Sequence, residues 1–172
     1  PYTEEDKPHP IEWYGQTKLW AEEEVKNSGC QYVILRIAFP FKAKEASKDF
    51  EPKPKLDLVR KIIDKLKRGQ TLPMFFDQVI TPTFIDDIAQ VIDYCLKNKP
   101  EGLYHCVGST PISPYNLASL IARNFDFDQT LIKKTTIKEI EKKNLRPRQE
   151  CLALSNKKLT KDFGIKMATI QD

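Results

Sequence analysis

The sequence predicts an α/β chain built on a parallel sheet, and three observations lead there. Gln31 to Ile37 is a near-continuous apolar, β-rich run, as expected of a strand buried on both faces. Leu103 to Val107 is a second run of the same kind. Segments with apolar residues at helical spacing lie between and around these runs, so strands alternate with helices. At 172 residues and 40% hydrophobic content, the chain can bury a real core.

Taken in order, residues 1 to 10 carry three prolines and a cluster of acids and read as an extended loop, with Pro8 and Pro10 turning their neighbours away from helix. From Ile11 to Asn27, Trp13, Leu19, Trp20 and Val25 recur at loosely helical spacing, and Ser28-Gly29 supplies the stop. After the first strand, Lys42 to Lys55 holds five Lys and two Pro and reads as a surface loop. Leu56 to Arg68 is a helix with Leu58, Val59, Ile62, Ile63 and Leu66 on one stripe, ended by Gly69. Thr71 to Phe76 is a short strand. Thr81 to Asp87 leads into a helix faced by Ile88, Val91, Ile92, Cys95 and Leu96, for which Thr83, Asp86 or Asp87 is the expected cap, a role that suits Asp87 better than direct catalysis. Ser113-Pro114 opens another helix, with Ser as cap and Pro at the first helical position. Beyond Phe125 the text is loop-like, then Ile137 to Lys143 forms a short charged helix and Ser155 to Phe163 a terminal one.

Composition narrows the function classes. A net charge of +4 arises from lysines scattered along the chain, which speaks for solubility and against nucleic acid. Four cysteines, at 30, 95, 106 and 151, form no C-x-x-C pair and read as reduced thiols of a cytoplasmic protein. Two histidines, His9 and His105, make a His-based metal site a poor fit. No apolar run approaches the roughly 20 residues of a membrane span. The six glycines, at 15, 29, 69, 102, 108 and 164, cannot be written as G-x-G-x-x-G, the loop with which a dinucleotide fold approaches pyrophosphate.

One pairing carries chemistry. If Trp13 to Lys18 begins a helix, Tyr14 and Lys18 stand at i and i+4 on one face. An ammonium beside a phenol favours the phenolate and makes the hydroxyl a better proton donor to a substrate oxygen near neutral pH. Of the six tyrosines, Tyr14 alone has a lysine at that offset.

The neighbourhood of that pair gives it weight. Pro1 to Pro10, then Tyr14-Gly15-Gln16-Thr17-Lys18-Leu19 and Glu22 or Glu23, resemble the active-site segment of nucleotide-sugar reductases and epimerases in the extended short-chain dehydrogenase/reductase family. Leu35-Arg36, Asp77-Gln78, Thr81-Pro82-Thr83, Asp87-Ile88-Ala89, Gly102-Leu103-Tyr104-His105 and Arg146-Pro147 follow in the order found in its dTDP-4-dehydrorhamnose reductases. The resemblance covers almost the full chain and departs at Ile80, where those reductases usually have Gly, so a turn built on positive φ would suffer there.

The resemblance implies the C-terminal part of a Rossmann-like doubly wound parallel sheet plus a small substrate-binding subdomain, within a protein of about 280 to 300 residues. Residues 1–40 would end the Rossmann part, and 41–172 would be mainly substrate-binding with returning Rossmann elements. It further implies that NADPH or NADH delivers hydride to the C4 keto group of a dTDP-4-keto-6-deoxy sugar while Tyr14 protonates the oxygen. Lys18 would lower the Tyr14 pKa and hold the nicotinamide ribose. Tyr14, Lys18, Ala38 and Phe39 would bind cofactor, and Phe39, Gln78 and Arg146 substrate, against core packing for Phe39 and an ordinary surface role for Arg146. His105 would be a hydrogen-bonded structural imidazole. Mg2+ and a homodimer stay open, since some relatives are metal-assisted dimers. A nucleotide-sugar 4-epimerase or dehydratase would use the same Tyr and Lys. A non-catalytic, NAD(P)-binding regulatory subunit of the methionine adenosyltransferase beta type is a further alternative, against which the presence of both Tyr14 and Lys18 weighs, and a fragment alone would be inactive.

Overall fold

The computed structural model describes residues 1–42, 56–144 and 147–171. Its helices are α1 (Trp13–Asn27), α2 (Leu58–Lys67), α3 (Ile85–Asn98), α4 (Pro114–Asn124), α5 (Ile137–Asn144) and α6 (Lys157–Phe163). Its strands are β1 (Val33–Arg36), β2 (Pro40–Phe41), β3 (Leu72–Phe75), β4 (Thr83–Phe84), β5 (Gly102–His105) and β6 (Ile132–Thr135). The strands pair as β1–β5, β2–β4 and β3–β6, and every pair is parallel. The expected parallel α/β class is therefore present as three two-stranded ladders. In the first of them Arg36 stands opposite His105.

Two apolar cores divide the elements between them. One is formed by Ile62 and Leu66 of α2 and Leu117, Ala118 and Ile121 of α4, packed on Leu72 and Met74 of β3 and Ile132 of β6. The other joins Ile88, Val91 and Cys95 of α3 to Tyr104 of β5, Leu159 and Phe163 of α6, and Met167. The apolar stripes follow the helical period, which is why α2, α3 and α4 each turn one face to a core. The Phe163 ring lies 4.6 Å from that of Tyr94 and 4.5 Å from that of Tyr104, closing the second core with aromatic contacts.

Local signals act where the sequence places them for α2 and α4. Asp57 accepts the Arg60 N–H at 2.9 Å at the start of α2, and Gly69, at φ 64°, ends it in the left-handed region. Ser113 accepts the Asn116 N–H at 3.1 Å, with Pro114 opening α4.

Three expectations are corrected. Neither Thr83 nor Asp86 nor Asp87 caps α3: its N-cap is Phe84, with no side-chain bond. Thr83 is instead fully buried, donating to the Ala38 carbonyl at 2.7 Å and accepting the Gly108 N–H, while Asp87 accepts the Ala168 N–H at 2.7 Å. Tertiary partners take oxygens that a local cap would use. Ile80 causes no strained turn, because it is extended and fully buried, exchanging both backbone hydrogen bonds with Ile112 at 2.9 Å. Finally, β6 lies in the stretch read as loop. Its Lys133 and Lys134 are exposed while Ile132 and Thr135 are buried, so these four residues show no alternation by which a strand could be read. The loop reading of 43–55 falls outside the described residues.

Gly108 marks a close approach, since a Cβ there would collide with the Pro82 carbonyl oxygen. Truncation in the second core should be costly by comparison with the surface. Phe163→Ala is expected to lower unfolding free energy by about 3–5 kcal/mol, whereas Leu96→Ala, at a site 74% exposed, should stay within about 0.5 kcal/mol; chemical denaturation measures both.

Candidate functional site

Helix α1 differs from the others in having no buried residue. The N-terminal segment runs up to it from a parallel bridge between Tyr2 and Leu154, where Tyr2 donates to the Ala153 carbonyl and accepts from the Ser155 N–H. Gly15 lets Pro10 pack closely on the first turn, where a Cβ would lie 3.0 Å from that ring. Trp13 and Trp20, seven residues apart on α1, meet edge to face with ring centroids 5.3 Å apart.

The same helix stacks Tyr14 and Lys18. The Lys18 Nζ lies 5.5 Å from the Tyr14 ring centroid, so the ammonium and the phenol share one face. Tyr14 is 62% exposed, and among the described residues its hydroxyl makes no hydrogen bond. Both side chains border a cleft of about 1050 Å³ between α1, the N-terminal segment, the end of β1 and residues 147–154. A free phenol beside an ammonium at the edge of a cleft can donate a proton to a ligand oxygen.

The remaining predicted residues divide. Gln78 lines the cleft too, but it is buried and its side-chain amide donates to the Gln149 carbonyl at 2.8 Å. Beside it, Asp77 accepts the Ile137 N–H at the start of α5, so the Asp77-Gln78 pair braces two later segments. Ala38 and Phe39 do not border this cleft. Their carbonyls accept from Thr83, and Phe39, at φ 44°, packs its ring against the first core. Arg146 lies outside the described residues; Arg148 borders the cleft with its guanidinium 5.3 Å from the Phe75 ring. Among the described residues no group of three or more His, Cys, Asp or Glu is placed to hold a metal ion, and no helix is long and apolar enough to cross a membrane.

A charged cluster that was not foreseen as a unit forms one wall. Glu22 takes both arms of the Arg36 guanidinium, each at 2.8 Å, and the third Arg36 nitrogen approaches His105 Nε2 at 3.4 Å. Glu4 accepts the His105 backbone N–H at 2.7 Å. The Arg36 fork holds the Glu22 carboxyl below the usual range. Burial pushes the fully enclosed His105 down, opposed by Glu4 and reinforced by Arg36; its Nδ1 has no hydrogen-bond partner among the described residues. The hydrogen-bonded imidazole expected here is thus bonded at one nitrogen only, loosely, and to a cation. An arginine inside an apolar strand was the available signal, because a charge there needs a carboxylate.

Both shifts act in the same direction on stability. A folded-state pKa below the unfolded one means that the unfolded chain binds the proton first, so stability is full above the ordinary value and falls as pH drops. The loss should begin below about pH 6.5 through His105 and continue below about pH 4.5 through Glu22. Thermal melting across this range is expected to show an upper limb that disappears in His105→Gln.

A family model described as the RmlD substrate binding domain matches residues 1–172. The probable low-salt glycan biosynthesis reductase Agl14 of Haloferax volcanii is 28% identical over 99% of this chain and 55% of its own length. Methionine adenosyltransferase 2 subunit beta of Rattus norvegicus is 27% identical over 79% of this chain and 40% of its own. The chain therefore spans about half the length of the curated relatives it matches. Among solved structures, a dTDP-4-dehydrorhamnose reductase ortholog from Clostridium acetobutylicum superposes with a TM-score of 0.79 at 28% identity, covering 99% of this chain and 56% of that one. The dTDP-4-dehydrorhamnose reductase of Bacillus anthracis in complex with NADP superposes at 0.82, with 19% identity and the same coverages, a likeness of fold.

Proposed function

Because this chain belongs to the RmlD substrate-binding domain family, we propose that it is the substrate-side half of a nicotinamide-dependent nucleotide-sugar reductase. The keto group at C4 of a dTDP-4-keto-6-deoxy sugar is its substrate in this reading. The carrying observation is the stack of Tyr14 and Lys18 on the open edge of a cleft large enough for a sugar. NADPH or NADH supplies the hydride when bound. The residues present fit the reactive end of such a cofactor but not its pyrophosphate, since no Gly-rich loop can be drawn from the six glycines.

What the chain itself does is bind, orient and move one proton. The Tyr14 hydroxyl donates to the carbonyl oxygen as negative charge develops there. The Lys18 ammonium stabilises the phenolate left behind and offers donors to a ribose hydroxyl. Gln78 and Arg148 border the far side of the same cleft, where the nucleotide sugar would lie. Ala38 and Phe39 remain in the proposed set from the family resemblance alone, since their carbonyls are held by Thr83, and Arg146 completes the substrate-binding set as a guanidinium able to grip phosphate with two parallel bonds.

The likeness to methionine adenosyltransferase 2 subunit beta favours one other reading, a regulatory subunit that binds nicotinamide without turnover. Tyr14 and Lys18 are both present and stacked, which supports the enzyme. The complete protein, assayed for hydride transfer to the keto sugar, should lose roughly 10² to 10⁴ in turnover on Tyr14→Phe. The 172-residue chain alone should show none. Undiminished turnover in Tyr14→Phe refutes the assignment, and cofactor binding without any turnover selects the regulatory reading.

A further inference from the structure

Three residues far apart in the chain, Glu22, Arg36 and His105, meet beside the cleft, and the chemistry proposed above uses none of them. We infer that Glu22, gripped by Arg36, is a positioning residue that sets the rotation of α1 and so the placement of the Tyr14 hydroxyl. The inference rests on the reductase reading and deepens it.

Glu22 lies four residues beyond Lys18 and eight beyond Tyr14, so all three occupy one helical face. Glu23, its neighbour, points to solvent and is exposed; only Glu22 can take part. Both arms of the Arg36 fork reach Glu22 at 2.8 Å, with the two side chains 21% and 15% exposed, so the pair is largely shielded from competing water. Arg36 ends β1 directly opposite His105 of β5, and its third nitrogen faces that ring. The fork therefore fastens the Tyr14-bearing face of the helix to the end of a parallel ladder.

Among the described residues no side chain of α1 is buried, so within this half of the protein the helix has no apolar knob in a core to fix its turn about its own axis, and the fork supplies that constraint. The phenol oxygen sits at the rim of a cylinder about 6 Å in radius, where a rotation of about 10° moves it by roughly 1 Å. A displacement of that size costs on the order of 10²-fold in rate.

The test uses the complete reductase and a double-mutant cycle. Glu22→Gln keeps the shape and removes the charge, and is expected to lower kcat by roughly 10- to 100-fold while KM for nucleotide sugar and nicotinamide changes less than about threefold. Arg36→Lys keeps the charge and loses the fork, and should lower kcat in the same way; it serves as the second variant if Glu22→Gln folds poorly. Placed in a Tyr14→Phe background, Glu22→Gln should add almost nothing, because its effect passes through the phenol. A residue that only stabilises the fold would instead multiply the two losses, and that result overturns the inference. Wild-type kcat in both Glu22→Gln and Arg36→Lys overturns it while leaving the reductase reading intact. Full activity in Tyr14→Phe refutes the reading itself, and with it the inference.

Discussion

The parallel pairing of β1 with β5 is the constraint on which the site depends. Parallel strands need a long connection, and here it carries β2, α2, β3, β4 and α3 before the chain returns at Gly102. That return places His105 opposite Arg36 and delivers Tyr104 to the aromatic core with Phe163. It also leaves the end of β1 charged, because Arg36 occupies the last position of an otherwise apolar strand. A guanidinium half-enclosed by protein must find a carboxylate or shift its surroundings. Glu22 answers that demand, and α1 is drawn to the ladder by it. Fold and site therefore share one electrostatic contact.

Thr83 performs a comparable service for the backbone. Its hydroxyl sits between the Ala38 carbonyl and the Gly108 N–H, joining the segments that follow β1 and β5. Full burial of a hydroxyl is costly unless both its donor and acceptor capacities are used, and here they are. Gly108 must be Gly for the Pro82 carbonyl to come so near. Short polar contacts thus join the segments that follow the two strands of the principal ladder.

Much of this was legible in the residues. Apolar runs at 31–37 and 103–107 marked the two strands of the principal ladder, and the stripes of α2 and α4 marked their core faces; on α3 the stripe is narrower than expected, with Ile88, Val91 and Cys95 buried and Ile92 and Leu96 exposed. The spacing of Tyr14 and Lys18 predicted that the two side chains share one helical face, as they do, while their candidate role came from the motifs around them. What escaped was whatever depended on partners distant in sequence. Asp87 looks like a cap and serves Ala168, 81 residues away. Gln78 looks ready for a ligand, yet its amide is spoken for by Gln149, 71 residues on. Local chemistry offers each of these groups a nearby role, and only the assembled chain decides between that role and a remote one. The strand β6 was hidden for a different reason: with four residues and two lysines in the middle, it reads as polar linker.

Helix α1 carries both tryptophans of the chain, Trp13 mostly exposed and Trp20 about half so. Indole emission moves to shorter wavelength when solvent is excluded from the ring, so all tryptophan fluorescence of this molecule originates on the helix that bears the phenol. The chain is thereby furnished with a native optical probe, able to register without any label whether another surface closes over that helix.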